Sequence, residues 1–184
     1  IARDLADLYP KRAIEIGEPV LSVEGLGLGT RYRDVSFTLR RGEILGVTGL
    51  LGSGAKDLVR TLFGLEQPDT GAIRLRGQTD AIRSVGAATG AGVALLPEDR
   101  RGQGVALDLT VRENVALASL RRLTRFGFVQ RRREAAEARD LIERLQIKTT
   151  SAEAPVRSLS GGNQQKVALA KWLSRQSEIY LLDE

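Results

Sequence analysis

A chain of 184 residues, 42% hydrophobic and 28% charged, is long enough to bury one sizeable core and has the composition of a globular protein. With no cysteine and no histidine, it offers neither a disulfide framework nor thiolate zinc chemistry, and a histidine-based triad is excluded within the segment. The net charge of +5 and the clusters Arg121-Arg122 and Arg131-Arg132-Arg133 would suit nucleic acid, but only 4% of the residues are aromatic and no RNA- or DNA-reading motif accompanies them, so a solvated basic helix face is the better reading and no nucleic-acid partner is expected.

Residues 1 to 19, with Leu5 and Leu8 at helical spacing and Tyr9-Pro10 as a break, predict a short helix and a linker entering from an upstream domain. Val20 to Glu24 and Tyr32 to Leu39 alternate as strands, and Arg41-Gly42 turns the chain into a further apolar strand, Glu43 to Thr48. Leu58, Leu62 and Phe63 predict a helix stopped by Gly64. A turn over Gln67 to Gly71 leads into the strand Ala72 to Leu75, Ala81 to Val85 is predicted helical, and Gly92 to Leu96 is a short apolar strand ending at Pro97-Glu98-Asp99-Arg100. The longest uncharged stretch, Ser84 to Pro97, contains three glycines and is too short and too broken to span a bilayer.

From Thr110 onward the pattern is helical. Val111 to Leu120 predicts one helix and Arg131 to Leu145 another, with Ala138, Leu141, Ile142 and Leu145 on one face. These form an expected helical subdomain over about residues 105 to 158, inserted between Glu98 and a Ser-Gly-Gly turn. The chain opens without methionine or a basic-then-apolar leader and stops on the glutamate of its last motif, so it reads as a fragment of a longer protein.

Two glycine-rich segments carry chemistry. Gly49-Leu50-Leu51-Gly52-Ser53-Gly54 follows an apolar strand and opens a helix, the context of a phosphate-binding P-loop, where glycines let successive N–H groups converge on phosphate oxygens. The pattern then requires lysine followed by serine or threonine, and this chain has Ala55 and Lys56, followed by Asp57. Ala55 does not bridge the β- and γ-phosphates and Lys56 offers no hydroxyl to magnesium, so the loop is expected to hold nucleotide weakly and hydrolyse it poorly. A glycine-rich turn with no ligand is the alternative.

The second segment is Leu159-Ser160-Gly161-Gly162-Asn163-Gln164-Gln165, opening a helix. Ser160 suits the N-cap, the two glycines leave backbone N–H groups uncovered, and the N-terminus of a helix there attracts phosphate. About twenty residues on, the apolar strand Ile179-Tyr180-Leu181-Leu182 ends in Asp183-Glu184. In isolation the first is a capped turn and the second a buried strand surfacing into a loop. Their order and spacing, downstream of the P-loop-like turn, resemble the nucleotide-binding domain of an ABC ATPase.

That resemblance implies an α/β fold, a P-loop NTPase (RecA-like) core with an antiparallel β subdomain and an inserted helical subdomain, cut after the strand that ends at Asp183. It implies ATP and Mg²⁺ as ligands, with Gly49, Leu50, Gly52, Ser53, Gly54, Ala55, Lys56 and Asp57 at the phosphate loop. Ser160, Gly161 and Gly162 would touch the γ-phosphate, with Gln164 supporting them. Asp183 matches the acid that holds Mg²⁺ and Glu184 the base that orients the attacking water. Glu98 falls where the family has a glutamine, and its extra negative charge near the metal alters that role. Tyr32 is the aromatic nearest the place where the family stacks a ring on adenine, or else an ordinary strand residue.

Gly42-Glu43-Ile44-Leu45-Gly46, Pro97-Glu98-Asp99-Arg100-Arg101, Ser160 to Lys166, and Arg3-Asp4-Leu5 to Tyr9-Pro10 are together similar to the second half of the tandem ATPase subunit of bacterial monosaccharide importers of the ribose, galactose and xylose type. Nucleoside importers share much of the pattern. The resemblance implies a head-to-tail partner in the first ATP-binding half of the same chain, transmembrane permease subunits, a periplasmic or surface sugar-binding protein reached indirectly, and a peripheral place on the cytoplasmic face of the membrane. Chromosome-maintenance ATPases insert a very long coiled coil where only about sixty residues separate Glu98 from Ser160. A non-catalytic regulatory module is the remaining alternative.

Overall fold

A computed structural model describes residues 14 to 79 and 82 to 183, Arg100 without its side chain. The expected short helix with Leu5 and Leu8, its break at Tyr9-Pro10, and also Ala81 and Glu184 therefore lie outside the described residues. The chain divides into two compact units, one within residues 1–58 and 67–81 and the other within 59–66 and 82–184.

The first unit is an antiparallel sheet. Strand β1 (Pro19–Leu28) lies between β2 (Tyr32–Arg40) and β3 (Thr70–Leu75), and β3 pairs with the short β4 (Gln78–Thr79). A bulge between Val23 and Leu26, with Gly25 at φ +58°, resets the alternation of β1, so that Leu21, Val23, Leu26 and Leu28 all turn inward. Ile73 and Leu75 of β3 join them in this core.

Residues 43 to 49 do not form the expected strand. A strand needs a neighbour to satisfy its N–H and C=O groups, and this segment joins no ladder among the described residues. Its apolar side chains are accordingly exposed, Ile44 to 98%. Helix α1 (Ala55–Leu62) follows the loop and ends at Gly64, whose φ of +78° and close approach to the Ser84 backbone leave no room for a Cβ.

In the second unit, α2 (Val85–Gly90) starts where Ser84 accepts the Ala87 N–H at 3.2 Å. The helix predicted over Ala81 to Val85 thus begins at Val85, because the capping serine determines the first turn. Strand β5 (Val93–Leu96) runs parallel to β8 (Ile179–Leu182), with Val93 opposite Ile179 and Leu96 opposite Leu182.

Between them lie α3 (Val111–Ala116), a 3₁₀ turn (Leu117–Ser119), α4 (Leu120–Leu123), the hairpin of β6 (Thr124–Arg125) and β7 (Phe128–Val129), α5 (Arg131–Arg144) and α6 (Gly161–Arg175). The single helix expected from Val111 to Leu120 is interrupted at the 3₁₀ turn, which brings the buried Ser119 Oγ within 2.6 Å of Ser174 Oγ. Val111 and Val115, Ala138 and Leu141, and Val167 and Ala170 come from α3, α5 and α6 to form one core with Ile147 and Val156, and Ile142 and Leu145 pack against it. The segment 105–158 therefore shares its core with α6.

Candidate nucleotide site

Gly52 and Gly54 of the candidate phosphate loop stand at φ +84° and +83°, conformations that only glycine adopts without strain. A Cβ at Gly54 would also collide with the Arg31 carbonyl. Gly49, Leu50, Gly52 and Ser53 are exposed, and the Ser53 N–H donates to the Leu50 carbonyl at 2.9 Å, so this donor serves the loop itself. Ala55 opens α1, Lys56 is exposed beside it, and the Asp57 carboxylate accepts from the Arg31 guanidinium at 2.9 Å. Asp57 is thus drawn toward Arg31. Tyr32 is buried in the sheet edge with its Cβ under Gly54, which favours the ordinary strand role over an exposed stacking face.

Ser160 occupies the N-cap position of α6 and is exposed, but its hydroxyl makes no bond to the first-turn backbone. Instead Ser160 Oγ accepts from Asn163 Nδ2 at 2.9 Å. Asn163 Oδ1 in turn accepts the Lys148 N–H at 2.8 Å, so asparagine ties the serine to the loop that follows α5. The first turn of α6 contains no acidic residue and a Cβ at Gly162 would meet nothing, which leaves a fifteen-residue helix with its positive end open to an anion. Gln164 is only 2% exposed and points back into the protein, donating to the carbonyls of Val156 and Leu159. It shapes the turn from behind.

Parallel pairing of β5 and β8 brings Glu98 and Asp183 to the carboxyl ends of adjacent strands, where the Asp183 N–H donates to the Leu96 carbonyl at 3.0 Å. Open α/β sheets hold their ligands at this end. Glu98 is exposed and Asp183 is half-buried. Burial of its ring raises the Tyr180 pKa on the strand that leads to Asp183.

Sequence reading missed three side-chain groups that build this unit. Trp172 of α6 donates its Nε1–H to the Leu95 carbonyl at 2.8 Å and meets Phe63 edge to face, with ring centroids 5.9 Å apart. Lys171 donates to the Gly104 carbonyl at 2.7 Å and lies 5.1 Å above the Trp172 ring, and burial holds its pKa below the usual lysine range. Asn114, fully buried, accepts the Ala106 N–H at 2.8 Å and donates to the carbonyls of Ala106 and Thr110. The one legible signal was the capping box of α3, in which Thr110 and Glu113 bond each other's backbone N–H groups.

Residues 32–184 match the model of the ABC transporter family, and the chain belongs to that family. Over its full length it is 55% identical to the ribose import ATP-binding protein RbsA of Pseudomonas putida, 54% to that of Cereibacter sphaeroides and 41% to that of Bacillus subtilis. It spans 36%, 37% and 37% of those proteins, about a third of their length. Among solved structures, cbiO1 from Clostridium perfringens matches with a TM-score of 0.72 at 19% identity, covering 90% of this chain and 65% of that one. A nucleotide-free ATP-binding cassette from an ABC transporter matches with a TM-score of 0.73 at 16% identity, covering 91% and 69%. These likenesses establish the P-loop NTPase fold of ABC ATPase domains.

Proposed function

We propose that this segment is an ATP-binding, energy-coupling half of a bacterial sugar importer, with ribose as the first sugar to test, and that it completes an ATP site whose phosphate loop belongs to the first half of the same protein. The observation that carries the proposal is the contrast between its two glycine-rich segments. Ser160, Gly161 and Gly162 present an open helix N-terminus, whereas the loop at Gly49 to Gly54 leads into alanine where a phosphate lysine belongs.

Helix geometry supports a head-to-tail pairing. At a rise of about 1.5 Å per residue, Ser160 lies roughly 16 Å along α6 from Lys171, whose contacts mark the sheet end of the helix. The anion-binding end of α6 is therefore remote from Glu98 and Asp183 of the same unit, and it serves phosphate best when the phosphate is held by a partner.

Glu98 and Asp183 are hard carboxylate donors at adjacent strand ends, and no larger cluster of acids, histidine or cysteine exists among the described residues. Two carboxylates fit Mg²⁺, which keeps several waters and takes its other ligands from nucleotide phosphates. When bound it would neutralise phosphate charge. Glu184, beside Asp183, is the residue proposed to orient water for attack.

The loop from Glu98 to Gly104 and the helices from Thr110 to Leu145 would meet the permease subunits, with the sugar-binding protein acting on them from the far side. Among the described residues no helix is long and apolar enough to cross a membrane, in keeping with a peripheral position. Alanine at position 55 also favours a second reading, a regulatory module without an ATP role. Ribose uptake by vesicles containing the permease, the full-length ATPase and the binding protein should require internal ATP. Uptake without ATP would remove energy coupling, and uptake of nucleosides instead would reassign the substrate.

A further inference from the structure

The strands β6 and β7 are joined by the two-residue turn Phe126-Gly127, with Arg125 paired to Phe128. Both central residues have positive φ, +52° and +82°, the backbone of a tight hairpin turn in which asparagine or glycine is usual at the first position. A phenylalanine there is strained, because its Cβ crowds the backbone in the left-handed region. The strain is not offset by burial, since Phe126 is 86% exposed and Phe128, two residues on, 79%. Half of the chain's four phenylalanines thus stand at one convex tip.

The surroundings of the tip are of one sign. From Arg121 to Arg133 the sequence carries six arginines and no acid. Arg122 turns inward to Glu137 and the Ser174 carbonyl, while Arg121, Arg125, Arg131, Arg132 and Arg133 are exposed. Of the nearest acids, Glu134 is buried against Arg112, Glu137 is taken by Arg122, and Glu153 is paired with Arg112 beside Arg131. The guanidinium of Arg125 lies 5.1 Å over the Phe126 ring, so charge and aromatic surface project together.

We propose that this hairpin inserts Phe126 and Phe128 into the interface of an anionic lipid membrane, with the five exposed arginines on its headgroups. Two exposed aromatic rings flanked by exposed arginines, with the nearest acids already paired, match a lipid interface, which accepts apolar side chains at its surface and supplies diffuse negative charge around them. This goes beyond the assignment of the segment to an importer, since it concerns direct contact with lipid and holds in the absence of a permease.

The test is flotation of the full-length protein, without permease, with vesicles of phosphatidylcholine alone or mixed with phosphatidylglycerol. The parent protein should float with the anionic vesicles and not with the neutral ones, and F126S/F128S should lower binding at least about tenfold while keeping the parent melting temperature. Arg125→Gln together with Arg121→Gln should lower it about fivefold or more at low salt. In the reconstituted importer, Phe126→Trp should be quenched by brominated lipid. Equal flotation of F126S/F128S and parent, absence of flotation, or a Phe126→Cys variant that crosslinks to permease while the Phe126→Trp protein escapes quenching would each overturn the proposal.

Discussion

Lys171 donates its ammonium to the Gly104 carbonyl at 2.7 Å, and its neighbour Trp172 donates to the Leu95 carbonyl at 2.8 Å. Two adjacent residues on α6 therefore hold both ends of the loop that carries Glu98, Asp99 and Arg101. Inside the loop, Asp99 Oδ1 accepts the Gly102 N–H at 3.0 Å. These two bonds fasten the loop to the same helix that opens at Ser160.

Lys171→Met should consequently separate stability from activity. Burial depresses the lysine pKa in the folded state, so its charge opposes folding at neutral pH, and stability should rise as pH climbs from the depressed value toward the ordinary lysine value of about 10.4. Methionine should abolish that alkaline rise and leave the melting temperature at pH 7 within a few degrees, while ATP turnover coupled to transport falls at least about fivefold. Lys171→Arg, which keeps the donor, should restore part of it. Equal loss of stability and activity in the methionine variant would make the residue merely structural.

Arg112 binds Glu134 at 2.6 Å and Glu153 at 2.7 and 3.0 Å, joining α3, α5 and the loop before Ser160. Glu134 is buried, so Arg112→Met leaves an unpaired charge inside the helical core. This should cost about 3 to 5 kcal/mol, and Arg112→Met with Glu134→Leu should recover most of it. Thermal unfolding of the full-length protein checks both.

Acid should act through the same region. Hydrogen bonds from Arg112 lower the Glu153 pKa, and those from the Thr110 N–H and hydroxyl lower that of Glu113. Both carboxylates therefore contribute stability that is fully present above the ordinary glutamate value of about 4.3 and is lost as pH falls through their lower folded-state values. Glu153→Gln should flatten the fall of melting temperature with pH below about 4. An unchanged slope would dissociate the pair from acid unfolding.

Much of this was legible because it depends on local pattern. The strands at Val20 and Tyr32, the stop at Gly64 and the face of Ala138 and Leu141 follow from alternation, a left-handed glycine and helical period. Glu43 to Thr48 reads as a strand by the same rules, yet a strand exists only with a neighbour, and period says nothing of neighbours. At the site, the glycines of both loops and the strand ending at Asp183 were readable. The turn of Ser160 toward Asn163, the capture of Asp57 by Arg31 and the inward direction of Gln164 depend on contacts across the fold. The arginine clusters read as a solvated face, because a two-residue turn with phenylalanine in a left-handed conformation has no sequence signal.

If Gly49 to Gly54 is built around phosphate, as proposed, restoring its lysine and hydroxyl should strengthen it. Ala55→Lys with Lys56→Thr returns one charge-assisted hydrogen bond and a hydroxyl for the metal, worth roughly 1.5 to 3 kcal/mol, or about 10- to 150-fold in affinity. Calorimetric titration of the full-length protein with nucleotide, with and without Mg²⁺, should resolve a second, tightened site. No gain would mean that Gly49 to Gly54 is a turn not built around phosphate.

The proposed division of labour between two halves is tested most directly by ATP turnover of the reconstituted importer carrying either Ser160→Arg or Glu184→Gln. On the proposed assignment, arginine at the exposed start of α6 should block the site that this segment would complete with a partner's loop and abolish hydrolysis, while glutamine at position 184, proposed to serve a weak site, should leave most of the activity. A more damaging Glu184→Gln, with Ser160→Arg still active, would contradict the account and place the working site on this segment's own loop.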